Sequence, residues 1–236
     1  MTTPNYTQLI ENGLNLIAVL DTQTLPDTIQ TAIPHDLRQR FGRLMLIGNG
    51  GGEKLWPALQ QYGMKTPDPI DNFSINMARQ FIHDQLDGAD HHILYPLTDS
   101  LVSLQQLGSL AGWHHPSPLG LGIHSHYGVW FAYRVALLID ADMPLRVEQP
   151  TPSPCDSCLD KPCMTSCPIN AVRGIDQFQV GRCGKHRVAE NSSCADRCLS
   201  RLACPVGTTH RYPLAQIQYH YANALPAMRA WYEKEQ

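Results

Sequence analysis

Apolar residues recur along the chain with two different patterns, which together predict a mixture of helices and strands. Ile70, Phe73, Met77 and Phe81 are spaced three or four residues apart, and this spacing predicts an amphipathic helix over 69–86. Short runs of consecutive apolar residues, bounded by glycine or proline, are instead typical of buried strands. The strands predicted in this way are 43–48, 91–96 and 129–139.

Proline and glycine mark the remaining boundaries. Apolar residues at roughly helical spacing predict a helical lead-in over 1–35, broken by Pro26 and Pro34. The proline-rich stretch 148–154 predicts a linker, so we expect an α/β domain for a cofactor or substrate over 1–150 and a second domain over 151–236. Further helices are predicted over 53–59, 101–110 and 213–232, the last interrupted by Pro226.

Composition and charge narrow the class of protein. The chain has 236 residues, of which 43% are hydrophobic and 17% charged, so it can bury a core. Its net charge of −3 argues against non-specific nucleic-acid binding, which needs a basic surface. No apolar run reaches the roughly 18 residues of a membrane span, and the first residues do not have the pattern of a signal peptide. We therefore expect a cytoplasmic protein with no membrane partner.

The eight cysteines are the most informative residues, because all lie between Cys155 and Cys204. Four of them fall within thirteen residues and end in Cys-Pro, close to the bacterial ferredoxin run C-x2-C-x2-C-x3-C-P, with two extra residues after the second cysteine. A second Cys-Pro closes the later group. The full order is Cys155-x2-Cys158-x4-Cys163-x3-Cys167-Pro168, then Cys183, then Cys194-x3-Cys198-x5-Cys204-Pro205.

The likeness to ferredoxins implies a crossed set of ligands. In two-cluster ferredoxins the fourth cysteine of each run binds the cluster of the other run. Applied to this chain, that rule predicts two [4Fe–4S] clusters, with no cysteine left over. Their ligands are Cys155, Cys158, Cys163 and Cys204 for the first cluster, and Cys167, Cys183, Cys194 and Cys198 for the second. The alternative is two structural zinc ions on the same eight thiolates.

The order of motifs resembles the epoxyqueuosine reductase family. Segment 96–100, Gly112 with Trp113, and segment 121–131 resemble the family's Asp-Ser segment, its glycine-tryptophan turn and the aromatic stretch lining its corrinoid pocket. The cysteines follow in the family's 4 + 1 + 3 grouping. The resemblance implies a flavin-reductase-like fold, shared with a cobalamin-trafficking protein, followed by a bacterial ferredoxin-like module, an α+β class overall.

The same resemblance implies roles for single residues. Asp99 corresponds to the proposed proton donor, and the residues corresponding to a cofactor pocket are Trp113, His124, Tyr127 and Trp130. Each has a structural alternative. Asp99 could cap a helix beginning near Ser100. His124 and His126 are two apart, as on one face of a strand, and either bind a metal or cofactor or are hydrogen-bonded structural residues.

The expected function is transfer of single electrons through two [4Fe–4S] clusters to a reductive site in the N-terminal domain, where cobalamin is bound. Such a protein is an iron–sulfur oxidoreductase supplied by a flavodoxin- or ferredoxin-type donor, with a corrinoid or another small molecule as ligand. We do not expect tRNA as a partner, because the family's Gly-Lys pair is replaced by His114-His115-Pro116 and the net charge is −3. Two alternatives remain, a ferredoxin-like electron carrier and a protein that binds and reduces cobalamin for delivery.

Overall fold

An antiparallel sheet organises the first part of the chain. The computed structural model describes residues 4–96 and 101–234. The strands of this sheet lie in the order β1-β2-β6-β3, and each pair of neighbours is antiparallel. The predicted α+β class is therefore confirmed, and the parallel pairing typical of an α/β domain does not occur in this sheet. The strands are β1 Leu16–Asp21, β2 Arg43–Gly50, β3 His91–Tyr95 and β6 Phe131–Ile139.

Helices precede or separate the strands along the sequence of the first unit. The longest helix of this unit begins at Pro69, a residue tolerated at the first helical position because its missing N–H would be unpaired there. Its buried face includes the four predicted residues Ile70, Phe73, Met77 and Phe81. The helices are α1 Thr7–Glu11, α2 Asp27–Gln30, α3 His35–Arg40, α4 Leu55–Tyr62, α5 Pro69–Gln85 and α6 Leu104–Leu110.

The predicted helical lead-in over 1–35 is wrong for its central part. Leu16–Asp21 is strand β1, and its pairing with β2 sets Leu16 opposite Gly48 and Asp21 opposite Arg43. Five of its six side chains are buried, so the strand has no polar face and its period cannot be read from hydrophobicity. A short apolar run of this kind is compatible with either element, and pairing with β2 decides it.

The chain folds into two compact units. The first contains 1–114 and 131–151, and the second contains 115–130 and 152–236. The predicted ranges 1–150 and 151–236 differ from these units chiefly at segment 115–130, which groups with the cysteine-bearing part of the chain. The physical reason is burial, since Leu119, Ile123, Val129 and Trp130 belong to one apolar cluster with Cys155, Cys163 and Cys204.

The second unit is built from short elements and one long helix. Segment 115–130 contributes two paired two-residue strands. The predicted break at Pro226 does not occur, because helix α11 continues through this proline although one backbone hydrogen bond is lost there. The Tyr232 hydroxyl donates to the Gly181 carbonyl at 2.7 Å, which links α11 to α9. The elements are β4 His115–Pro116, β5 Gly122–Ile123, α7 Pro154–Ser157, α8 Pro162–Thr165, α9 Val180–Val188, α10 Leu199–Leu202 and α11 Leu214–Lys234.

Among the described residues, no helix combines the length and the apolar character needed to cross a bilayer.

The packing of strand β2 between its two neighbours can be tested. Leu46 is fully buried in β2, and its partners on the two neighbouring strands are Ala18 and Ala136. Because both partners are small, we expect Leu46→Ala to leave a cavity and to lower the free energy of unfolding by about 2–5 kcal/mol. Leu145→Ala, at a side chain that is 60% exposed, should change it by less than about 0.5 kcal/mol. Urea unfolding measures both, and equal effects would contradict the packing described.

Candidate functional site

The eight thiols of the second unit form two separate groups. In the first, electrostatic interaction with Cys204 and Cys158 contributes to a raised pKa of both Cys155 and Cys163. In the second, electrostatic interaction with Cys198, Cys167 and Cys194 contributes to a raised pKa of Cys183. Cys204 thus joins cysteines far earlier in the chain, and Cys167 joins the later ones. The two groups have the same members as the two ligand sets expected from the ferredoxin pattern.

Burial and mutual repulsion perturb the first group. Burial, followed by the charge of Cys204, raises the pKa of both Cys155 and Cys163. Lys161 lies at this group, and its Nζ donates to the carbonyl oxygens of Cys155 at 2.9 Å and of Cys158 at 3.3 Å. The Lys161 ammonium therefore stabilises the conformation of the loop that carries the first three cysteines. Its positive charge also favours the thiolate form of Cys155.

Two glycines bring Cys204 to this group. Gly128 has φ +59°, and a Cβ built there would lie 2.1 Å from the Val206 carbonyl oxygen. Gly207 has φ +67°, and a Cβ built there would lie 2.4 Å from the Tyr127 carbonyl group. Side chains at either position would collide with backbone. The turn over 124–128 and the loop after Cys204 can therefore approach each other only because both residues are glycine.

The second group surrounds a cavity of about 230 Å³. Its apolar wall includes Leu119, Phe178 and Met228, and the four thiols of the group also line it. Burial raises the pKa of the Cys183 thiol to about 11, and the charge of Cys198 adds to this shift. Four sulfur atoms that surround an enclosed space can hold an occupant between them.

Cys167 differs from the other thiols of this group. Burial raises its pKa, but hydrogen bonds from the N–H groups of Ala171, Ile169 and Val172 and from the Ser200 hydroxyl outweigh burial, so the pKa is lowered. The Ala171 N–H lies 3.2 Å from the sulfur. Several backbone donors aimed at one sulfur stabilise its thiolate, which is the form that binds metal.

Two arginines also face the cavity of the second group. Atoms Nε and Nη2 of Arg187 and Nε of Arg201 are buried and have no hydrogen-bond partner among the described residues. The Arg187 guanidinium lies 4.3 Å from the Tyr221 ring centre, and that of Arg201 lies 4.6 Å from the Trp130 ring centre. Buried donors without a protein acceptor are rare in folded proteins, and an ordered water, an ion or a ligand is their usual partner.

The predicted aromatic residues do not share one environment. Trp113 is 1% exposed in the first unit, against Gly48 of β2. Trp130 is fully buried in the second unit, with its ring 5.5 Å from that of Tyr212. Tyr127 is half-buried, and its ring lies 4.9 Å from that of His210. Trp113 and Trp130 thus have core environments.

The expectation that His124 and His126 share one face of a strand is wrong. Strand β5 ends at Ile123, and residues 124–128 form a tight turn closed by hydrogen bonds between His124 and Gly128. His124 is 2% exposed, and its Nδ1 accepts from the N–H groups of His126 at 3.0 Å and Tyr127 at 3.4 Å. His126 is exposed. The turn separates the two side chains, because glycine at 128 reverses the chain.

Asp99 lies outside the described residues. The suggested helix near Ser100 begins instead at Leu104, and Ser103 caps it by accepting from the Gln106 N–H at 3.4 Å. Ser103 is therefore the N-cap of this helix. In segment 101–103, Leu101 is 90% exposed.

A buried charge of the first unit was not anticipated from the sequence. Arg134 in β6 is 8% exposed and interacts electrostatically with Asp71 and Tyr95. Burial raises the pKa of the Asp71 carboxyl, and the Arg134 charge lowers it to a lesser extent. Tyr95 is the last residue of β3, four positions before Asp99. Arg134 stands within an apolar strand, so its sequence context gave no signal.

Arg201 was also missed, although a local signal existed. It follows Cys198 by three residues, and its backbone N–H lies 3.4 Å from the Cys198 sulfur at the start of α10. A cysteine at a helix N-terminus accepts from the residue three positions later. The side chain then turns to Trp130, with Nη2 donating to the Val129 carbonyl at 2.7 Å.

Among the described residues, no three His, Cys, Asp or Glu side chains converge closely enough to hold one shared metal ion.

Comparison with known proteins shows similarity at the level of fold. No protein-family model and no curated protein sequence matches the chain. Epoxyqueuosine reductase from Streptococcus thermophilus matches with a TM-score of 0.53 and 13% identity, over 88% of this chain. The chain spans 66% of the length of that enzyme. The resemblance expected from the motifs is thus confirmed for the fold.

Two other solved structures share the fold. The B12-trafficking protein CblC from C. elegans has a TM-score of 0.53 and 14% identity, over 91% of this chain and 89% of its own. A catabolic reductive dehalogenase has a TM-score of 0.52 and 12% identity, over 92% of this chain and 33% of its own. The three proteins have different names and tasks, so the fold does not decide among them.

The close approach at Gly128 gives a prediction for the site. Gly128→Ala places a Cβ on a left-handed backbone and against the Val206 carbonyl. We therefore expect this substitution to lower the free energy of unfolding by about 2–4 kcal/mol. The control is Gly181→Ala in α9, where nothing lies within 4 Å of the added Cβ. This control should change the free energy of unfolding by less than about 1 kcal/mol. Denaturant unfolding of anaerobically purified protein compares the two, and an unaffected Gly128→Ala variant would contradict the contact.

Proposed function

We propose that this protein is an iron–sulfur electron-transfer protein with two [4Fe–4S] clusters on its eight cysteine thiolates. The observation that carries the proposal is the grouping of the thiols into two sets of four. The first cluster takes Cys155, Cys158, Cys163 and Cys204 as ligands. The second takes Cys167, Cys183, Cys194 and Cys198. When bound, such clusters supply single-electron chemistry.

The chemistry of the surroundings fits these groups. Each iron of a cube takes one thiolate, so the ligands surround the cube instead of converging on one atom. The second set of thiols encloses a cavity of about 230 Å³. The unpartnered guanidinium atoms of Arg187 and Arg201 face this cavity and match an occupant with negative charge. Backbone N–H groups stabilise Cys167 as a thiolate before any metal binds.

We further propose that the electrons reach a corrinoid held with residues of the first unit. The support is the fold shared with a B12-trafficking protein and a reductive dehalogenase, together with the motif order around 96–131. In this proposal Asp99 would donate a proton to the reduced substrate, whereas the buried Trp113 and Trp130 serve in packing. A flavodoxin- or ferredoxin-type protein is the proposed electron donor, because both classes deliver one electron at a time.

A second candidate function is reduction of cobalamin for delivery to other proteins. The observation in its favour is that the B12-trafficking protein shares the fold over 91% of this chain. The two functions share cluster binding and corrinoid binding. They differ in whether the reduced corrinoid acts on a substrate or leaves the protein. Measuring release of the cofactor to an acceptor protein distinguishes the two.

The clusters and their crossed ligands can be tested together. We expect the anaerobically purified protein to contain about eight irons and eight acid-labile sulfides, as two four-iron cubes require. Cys204→Ala should lose the cluster that it shares with Cys155, Cys158 and Cys163. Cys198→Ala, six positions away, should lose the other one. Metal analysis and electron paramagnetic resonance give both results.

Three results would contradict this prediction. Stoichiometric zinc without sulfide would replace the iron–sulfur proposal by two structural zinc ions. If Cys204→Ala and Cys198→Ala remove the same cluster, the crossed ligand sets are wrong. Retention of both clusters in Cys204→Ala would exclude Cys204 as a ligand.

Corrinoid binding is tested by titrating the cluster-loaded protein with cob(II)alamin under reducing conditions. We expect a change in the cobalt spectrum with a Kd near the micromolar range, which corresponds to about −8 kcal/mol. A two-cluster ferredoxin serves as control and should give no change. If the protein behaves like this control at millimolar cobalamin, the electron-carrier function replaces the corrinoid proposal.

A further inference from the structure

The two groups of thiols lie in different electrostatic surroundings. Four basic side chains line the cavity of the second group, and no carboxylate is among its described lining residues: they are His186, Arg187, Arg197 and Arg201. Arg197 is already neutralised, because its Nε and Nη2 each donate to the Asp196 carboxylate at 2.7 Å. Arg187 and Arg201 therefore supply two guanidinium charges that no carboxylate of the described part of the chain pairs with at salt-bridge distance.

The surroundings of the first group are mixed. The Lys161 ammonium donates to the Cys155 carbonyl oxygen at 2.9 Å, and the carboxylate of Asp156 is adjacent to Cys155 along the chain. Arg211 acts on Cys204, but its Nη2 already donates to the Leu202 carbonyl at 2.8 Å. The cations near the first group therefore lie beside an acid or donate to backbone oxygens. Arg201 also donates to a backbone oxygen through Nη2, but its buried Nε and the buried Nε and Nη2 of Arg187 have no acceptor among the described residues.

The orientation of Arg187 and Arg201 is fixed by aromatic rings. Tyr221 lies against the Arg187 guanidinium at 4.3 Å. Trp130 at 4.6 Å and Tyr212 at 5.3 Å hold that of Arg201. A cation–π contact with a ring uses none of the guanidinium N–H groups as hydrogen-bond donors, so these stay available for acceptors. Buried Nε and Nη2 atoms of Arg187 and Nε of Arg201 consequently retain the capacity to donate.

We infer that Arg187 and Arg201 raise the reduction potential of the second cluster above that of the first, so that the first electron to enter the protein resides there. The inference rests on the proposed function. Reduction adds one negative charge to a cluster, and hydrogen bonds and positive charges beside the sulfurs favour the reduced state. The donor is oxidised by one electron and the second cluster is reduced by one, with no bond made or broken.

This difference in potential assigns a role to each cluster. With the second cluster reduced first, a second electron enters the first cluster, whose surroundings favour its reduction less. The first cluster has the lower reduction potential, so its reduced form is the stronger reductant of the two and is the one able to reduce an acceptor that is difficult to reduce. Arg187 and Arg201 are positioning residues in this scheme, because they act through the cluster and do not touch the final acceptor.

The test is a reductive titration of the protein loaded with both clusters, followed by electron paramagnetic resonance. The wild-type protein should show two reduction steps, and Cys204→Ala, which keeps only the second cluster, should titrate at the higher one. Arg187→Gln should favour the oxidised form of that cluster about tenfold, which for one electron is a decrease of about 59 mV. Its lower step should remain in place.

Two further variants separate charge from geometry. Arg187→Lys keeps the positive charge but loses the planar donors, so its higher step should decrease by less than in Arg187→Gln. Arg182→Gln removes the same charge from the same helix at an exposed position beside Cys183. Because solvent screens an exposed charge, neither step should move in this control.

The inference is overturned if Arg187→Gln leaves the higher step unchanged, or if only its lower step moves. It is also overturned if both Arg187 variants lose the iron of one cluster while Arg182→Gln keeps it, since Arg187 would then serve retention. Failure of the proposed function gives a different result. In that case sulfide analysis of the wild-type protein, done before the titration, finds no acid-labile sulfide, and the inference falls with it.

Discussion

The association of Cys204 with the first three cysteines is the contact on which the second unit depends. It joins the two ends of the cysteine-rich stretch, and it forces the loop after Cys204 to pass against the turn over 124–128. That passage needs glycine at both 128 and 207, because a Cβ at either position would meet backbone. Once the loop is in place, Leu119, Ile123, Val129 and Trp130 can pack around the buried thiols. The thiols thus take part in the core as much as in the chemistry.

The elements that the sequence predicted well are those whose pattern is local. Helix α5 matches its predicted buried face, since an amphipathic period survives in any packing that covers one side. The crossed ligand sets implied by the ferredoxin-like spacing stay a prediction, although Cys204 interacts electrostatically with Cys155 and Cys163 as that spacing implies. Strand β1 was assigned wrongly, since both its faces are covered and an apolar run without a polar face has no period. Pairing with β2 is non-local information that no short window contains.

The cysteines of the candidate site could be singled out from the sequence, but their surroundings could not. Arg187 is adjacent to the cysteine pattern and could be noticed, but its burial against Tyr221 depends on helix α11, far away in the chain. Arg134 has an ordinary sequence context and Arg201 is marked only by its spacing from Cys198, so burial is what makes both unusual. The pair His124 and His126 failed for a related reason. Their spacing suits a strand, yet Gly128 turns the chain immediately after β5.

Segment 115–130 has a consequence for how the chain can be divided. It belongs to the second unit although it stands between two parts of the first, so neither unit is one continuous stretch of sequence. A fragment starting at the proline-rich stretch 148–154 would contain every cysteine and still lack Trp130 and the other apolar residues that cover them. The cysteine-bearing part is therefore not a detachable module of the kind that gene fusion moves between proteins. Segment 115–130 lies in the sequence between helix α6 and strand β6, so the second unit can be inherited only together with the first.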